Sequence, residues 1–188
     1  TFPYAAFDDP CVRGVVRNTS KPPYDKKEVR WALALATDIQ GVSMATFNGM
    51  LRVSPLPIPP TSVLQKTYMF PMEGWLAELT LPDGFRPFDA GYAEAMARKL
   101  TQSGVAGVPT DRAAIRQLFG VGWWKHDPAE AGKLLQSQGF KKDGAGRWQL
   151  PDGKPWQITI NAPNNFEVQS MRLAFAVAAH LDPDILLI

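Results

Sequence analysis

Nucleophilic and metal-binding chemistry has few carriers in this sequence: one cysteine, Cys11, and two histidines, His126 and His180. A thiol becomes reactive when a base, a cation or a helix start lowers its pKa. Neither a base nor a helix start stands near Cys11, which therefore reads as a buried or incidental cysteine. Serine hydrolases carry a Gly-x-Ser-x-Gly elbow, and metal sites use spacings such as His-Glu-x-x-His, paired Cys-x-x-Cys or an EF-hand loop. None of these patterns occurs. No catalytic residue, metal ligand or cofactor is assigned, and a hydrolase is the least favoured reading. The remaining chemistry is recognition by amides, hydroxyls and aromatic rings. Asn18-Thr19-Ser20 fits a glycosylation acceptor, a pattern short enough to recur by chance. Trp123-Trp124 offers a stacking surface for a sugar or peptide, although a tryptophan pair in a Gly-flanked loop more often forms a packed corner.

The elements that would position these residues are marked by caps and by hydrophobic period. Asp25 before Lys26-Lys27-Glu28, with Pro22-Pro23 upstream, predicts a helix from about residue 26 with Val29, Leu33 and Ala36 on its buried face and Ala32 beside them. Asp38 caps a second helix carrying Ile39, Val42, Met44 and Ala45, stopped by Gly49. Val12 to Arg17 reads as a short strand. Ser54 to Pro60 is an extended Pro-rich path, read as a rigid loop or as a ligand for an aromatic-lined groove. Residues 61–88 predict an irregular aromatic-bearing segment with a turn at Pro82-Asp83-Gly84. Helices are expected at Tyr92 to Gln102 and Asp111 to Leu118, then from Asp127-Pro128 to Gly139 with Ala131, Leu134 and Leu135 buried. Arg147 to Leu150 and Pro155 to Asn161 flank a tight turn and predict a β-hairpin. A helix over Asn165 to Leu181 and a strand over Asp184 to Ile188 complete a strand–helix–strand crossover.

The chain has 188 residues, 45% of them hydrophobic, which suits one domain with a sizeable core. Its net charge of +2 is spread along the chain, so no nucleic-acid surface is expected. No apolar run reaches the roughly 18 residues of a membrane span. The residues after Thr1 lack the basic and apolar regions of a signal peptide.

Three ordered motifs give the chain a resemblance. The first is Asn18-Thr19, Pro22-Pro23-Tyr24-Asp25, Val29-Arg30, Ala32 to Ala36 and Asp38. The second is His126-Asp127-Pro128-Ala129-Glu130-Ala131 with Lys133-Leu134-Leu135 and Gly139-Phe140. The third is Leu150-Pro151-Asp152-Gly153-Lys154-Pro155 leading into Trp156 to Ile160. Together they resemble the extracytoplasmic solute-binding proteins of ABC importers, family 5, the dipeptide and oligopeptide binders. The resemblance implies an α/β fold, with residues 1–188 forming a single lobe of a periplasmic-binding-protein-like type II fold: a small mixed sheet with surrounding helices. Residues 1–17 would be the segment crossing between lobes, residues 61–88 a candidate insertion, and both chain ends cut edges. His126 stands where relatives commonly carry an aromatic residue, which implies a packing role.

The function so implied is capture of a peptide or similar small solute outside the cytoplasmic membrane, without covalent chemistry, and delivery to an ABC permease. The location would be periplasmic or otherwise extracytoplasmic and the protein a monomer. Asn18 and Thr19 at the crossing strand, with Asn161 and Asn164 at the end of the hairpin strand, are the ligand-binding candidates, their amide and hydroxyl groups orienting a polar ligand. Capping and turn roles explain Asn164 equally well. The alternative from another class is a protein–protein interaction module using the Pro-rich loop and exposed aromatics.

Overall fold

The computed structural model describes Asp8, residues 14–160 and the strand at 185–187. These divide into two compact units, one formed by Asp8, residues 14–15 and Asn48–Lys125, the other by Val16–Phe47, residues 126–160 and residues 185–187.

The second unit is organised by two helices far apart in sequence, α1 (Lys27–Ala36) and α7 (Pro128–Ser137). Val29, Ala32, Leu35 and Ala36 of α1 are buried, as are Ala131, Leu134 and Leu135 of α7 and the following Phe140. The buried face of α1 therefore runs through Leu35, with Leu33 only half-buried. Asp127 accepts from Glu130 N at 2.9 Å, so the expected cap forms, and its own N–H donates to Leu35 O at 2.8 Å. Asp25 does not cap α1. The N-cap is Lys26, one residue later, and the Asp25 carboxylate lies 3.7 Å from the Lys26 ammonium. Arg30 supports this end instead, donating through Nη1 to Tyr24 O at 2.7 Å and Asp25 O at 2.9 Å. Helix α2 (Ile39–Phe47) starts as expected, Gly41 N donating to Asp38 Oδ1 at 2.9 Å.

Residues 14–17 form no strand, and Val16 is 96% exposed, so the described part of the expected crossing strand has no partner to bury it. The hairpin is redistributed. Its turn is present, Leu150 N donating to Lys154 O and Gly153 N to Leu150 O, both at 2.8 Å. Strand β4 (Trp148–Gln149) nevertheless takes β3 (Lys141–Lys142) as its antiparallel partner, leaving one bridge from Gln149 to Pro155 on the other side. Trp156 N also donates to Trp148 O at 2.9 Å, so the two arms pair across the turn, but Arg147 N is taken by Asp143 Oδ1 at 2.9 Å and the pairing goes no further. Strand β5 (Ile158–Ile160) pairs in parallel with β6 (Ile185–Leu187), Thr159 opposite Leu186, as a crossover requires. The helix expected between them, and with it His180, lies outside the described residues, as does Cys11.

In the first unit α5 (Tyr92–Gln102) and α6 (Arg112–Phe119) form with the expected bounds to within a residue. Asp111 caps α6, accepting from Ala114 N at 2.8 Å. Tyr92, Ala93, Met96, Ala97 and Leu100 of α5 and Ile115, Leu118 and Phe119 of α6 are buried. Gly120 ends α6 at φ 102°, and a Cβ there would stand 2.3 Å from Val53 O, so only glycine fits. Strand β1 (Phe88–Asp89) pairs antiparallel with β2 (Trp123–Trp124), and Phe88 meets Trp124 edge-on with ring centroids 6.2 Å apart. The tryptophan pair is thus a packed corner. Met69, Leu76, Phe88 and Val121 form a core cluster, and Leu56 and Ile58 of the Pro-rich loop pack against it, which favours the rigid-loop reading of Ser54 to Pro60.

Residues 61–88 depart from expectation. They contain α3 (Ser62–Leu64), a π-helical turn over Gln65–Met69 and α4 (Glu73–Glu78) before the expected Pro82-Asp83-Gly84 turn. Gln65, Met69 and Leu76 are fully buried, and burial there outweighs the local signals of irregularity.

The fold is therefore mixed α/β, with three two-stranded sheets among the described residues, two antiparallel and one parallel, set among helices.

Candidate functional site

The groove with the clearest potential for binding lies wholly within the first unit, between the π-helical turn and α6. Thr61 starts the helical segment, its hydroxyl accepting from Leu64 N at 3.3 Å. Phe70 N then donates to Gln65 O at 2.9 Å, an i to i+5 bond that widens the turn. Such widened turns occur often at functional sites. Gln65 is fully buried, and its amide donates to Pro60 O at 3.0 Å and to Gln117 O at 3.2 Å. Those two acceptors fix the orientation of the amide and leave Gln65 Oε1 buried without a partner.

Across the groove α6 contributes Ala113, Arg116 and Gln117, whose spacing of three and four puts them on one helical face. The Arg116 guanidinium lies 5.3 Å from the centre of the Phe70 ring and donates through Nη2 to the Glu73 carboxylate. Its Nε is buried and lacks a partner. An unpaired buried donor or acceptor costs roughly 1–3 kcal/mol, and here one of each belongs to residues lining the same groove. Ser62, Gln65, Lys66, Phe70, Ala113, Arg116 and Gln117 enclose about 300 Å³. Lys66 is exposed and makes no ion pair among the described residues.

One end of the groove is tied down by Asp8. Its Oδ1 accepts from Arg52 Nη1 at 2.6 Å and from Ser62 Oγ at 3.0 Å, and its Oδ2 from Ser62 N at 2.9 Å. The Ser62 backbone N–H, followed by the Arg52 side chain, holds the Asp8 carboxyl below its ordinary pKa. Arg52 continues to Leu118 O at 3.2 Å and Pro60 O at 3.1 Å, linking Asp8 to the carbonyl that also receives the Gln65 amide.

Of the residues singled out from sequence, Asn18 and Thr19 lie in the other unit. Asn18 and Thr19 are exposed, and Asn18 Oδ1 accepts from Ser20 N at 3.1 Å and Ser20 Oγ at 2.7 Å, a local turn of the kind asparagine favours. Asn18 and Thr19 stand side by side with both side chains exposed. Asn161 and Asn164 lie outside the described residues. Near this corner Tyr24 is half-buried, and burial raises its pKa against the opposing influence of Trp156 and Arg17. Burial, then the neighbouring Arg30, lowers the pKa of Arg17. His126 is exposed, which removes the packing role expected for it. Among the described residues no cluster of three or more His, Cys, Asp or Glu side chains is arranged to hold a metal ion, and no helix is long and apolar enough to cross a membrane.

Sequence reading missed Gln65, Lys66 and Arg116. The available signal was Thr61 as a cap followed by Leu64, Met69 and Leu76; the widened turn itself follows from packing and has no residue signature.

No protein-family model matches the sequence and no curated protein matches it. Solved structures do match its fold. One is the periplasmic oligopeptide-binding protein of an oligopeptide ABC transporter from Thermotoga maritima, similar over 91% of this chain and 24% of that one, at 19% identity and a TM-score of 0.50. A mannohexaose-bound structure, also of an oligopeptide ABC transporter's periplasmic binding protein from that organism, aligns over 90% of this chain and 23% of its own, at 18% identity and a TM-score of 0.48. This chain spans less than a quarter of the length of either structure. The likeness is one of fold: mixed helices and small sheets like those in part of a periplasmic binding protein.

Proposed function

We propose that this chain is part of the substrate-binding component of an ABC importer of family 5, capturing a peptide or similar small solute outside the cytoplasmic membrane for delivery to a permease. What supports the reading is an agreement of two signals: three ordered motifs resembling that family, and a fold similar over 91% of the chain to an oligopeptide-binding protein of such a transporter. In this reading residues 1–188 belong to one lobe of a two-lobed monomer, and ligand is held in a cleft that closes by hinge motion. Asn18, Thr19, Asn161 and Asn164 then orient the polar groups of the solute. The mechanism needs only differential affinity for the closed form.

The test is a thermal-shift screen of the polypeptide joining this chain to a second lobe, against short peptides, oligosaccharides, opines and nickel complexes. A cognate solute at a hundredfold over its Kd stabilises by about 2.7 kcal/mol. Stabilisation by peptides alone supports the reading in full, and stabilisation by another class changes the solute while keeping the import role. No stabilisation by any of them overturns it.

A further inference from the structure

We propose that the groove between the π-helical turn and α6 binds a small carboxylate bearing an adjacent amide N–H, the group found at a peptide's C-terminal residue or in an N-acylated amino acid. This inference stands on the groove alone and is independent of the importer reading.

The groove presents complementary unmet needs. Gln65 Oε1 is a buried acceptor without a donor, and Arg116 Nε a buried donor without an acceptor. A ligand amide N–H serves the first and a carboxylate oxygen the second, so one short molecule carrying both answers both. The charges agree with a single negative ligand. Lys66 and Arg116 contribute two positive charges and Glu73, paired with Arg116, one negative, leaving one positive charge at the groove. Lys66 makes no ion pair among the described residues. A cationic ligand meets like charge here, whereas a phosphate dianion exceeds what one ammonium and one guanidinium edge supply.

The Phe70 ring and Ala113 furnish an apolar wall for a side chain on the ligand, and about 300 Å³ suits a molecule the size of an acylated amino acid. Both orphan atoms are closed to bulk water in this structure, so binding includes a side-chain rearrangement at the groove wall.

The probe is N-acetyl-L-leucine, titrated into the full 188-residue chain and followed by two-dimensional ¹H–¹⁵N NMR. Saturable shifts are expected in the amides of residues 62–70 and 113–117 and in the Gln65 side-chain NH₂. N-acetyl-leucinamide, which lacks the carboxylate, and N-acetyl-N-methyl-leucine, which lacks the N–H, should each bind about tenfold more weakly or worse, one charge-assisted hydrogen bond being lost in the first case and one buried acceptor left unmet in the second. Lys66→Gln, at an exposed position that leaves folding intact, should weaken N-acetyl-leucine binding and leave that of the uncharged amide unchanged. Alanyl-leucine then separates the two sources: tighter binding than N-acetyl-leucine identifies a peptide end, weaker binding an acylated amino acid. Shifts that fail to saturate, that fall outside the two segments, or that are equal for all three leucine derivatives overturn the proposal. Because the groove variant leaves residues 16–47 untouched, failure here and failure of solute capture are read separately.

Discussion

Helix α7 and the segment from Thr61 to Phe70 have similar lengths and opposite characters. In α7 the local signals mostly agree: Asp127 caps, Pro128 fills the first turn, Ala131, Leu134 and Leu135 face inward, the chain leaves through Gly139 at φ 85°, and the buried Glu130 accepts from Lys133 Nζ at 2.8 Å. The segment after Thr61 also begins with a cap, but its turn widens at Gln65 and brings a side-chain amide into the interior with its oxygen unmet. Agreement across levels gives a closed packing unit. Where one level departs, a polar group is left available, and such departures are expected at functional or strained sites.

The contrast is broken most severely at the α1–α7 interface. Leu35→Ala should cost about 2–5 kcal/mol, read from urea denaturation, because a fully buried leucine leaves a cavity behind. Asp127→Ala should cost about 1 kcal/mol through loss of the cap bond to Glu130 N, with Asp127→Asn recovering most of it. Equal losses for the two Asp127 variants would show that the charge matters rather than the cap.

A smaller effect sharpens the other side. The folded-state pKa of Asp8 is lowered, so its contribution is present above the ordinary carboxylate range and is lost as pH falls through the folded value. Asp8→Asn should therefore be less stable than the parent at pH 6, by about 0.2–1 kcal/mol for so exposed a pair, with the difference vanishing once the pH falls below the folded-state value. A difference independent of pH would remove the ionic link between Asp8 and the groove. Limited proteolysis should find Ser54 to Pro60 resistant, since Leu56 and Ile58 pack on the core; cleavage there would revive the docking-peptide reading. His126→Ala should change stability by less than about 0.5 kcal/mol, as expected of an exposed side chain outside any network.

Legibility followed the same divide. The caps at Asp38, Asp111 and Asp127 and the inward residues of α7 could be read because each is set by residues a few positions apart, and the parallel strand pair because a strand–helix–strand pattern calls for a crossover. Asp25 misled by one position: it sits next to the N-cap Lys26, which makes no side-chain cap bond, and Arg30 instead ties down the Tyr24 and Asp25 carbonyls ahead of the helix. The hairpin was legible at its turn and first pairs but shorter than expected, because Arg147 N bonds Asp143 Oδ1 and Trp148-Gln149 pair with Lys141-Lys142 on their other side. Gln65 was illegible for a deeper reason. Its burial depends on Pro60 and Gln117 offering carbonyls from two other segments, and no local pattern records such a meeting.

The bond from Asp127 to Leu35 spans 92 positions of chain, and the first unit occupies most of the interval. Chain-closure entropy makes so long a connection slow to form while the intervening residues are unstructured. Folding of residues 48–125 first removes most of that unstructured interval, so α1 and α7 then search less space. The connectivity thus predicts an order of assembly, with α5 and α6 forming before α1 and α7 pack together. Pulsed hydrogen exchange should find amides of α5 and α6 protected before those of α1 and α7, and the reverse order would show that the long connection closes first.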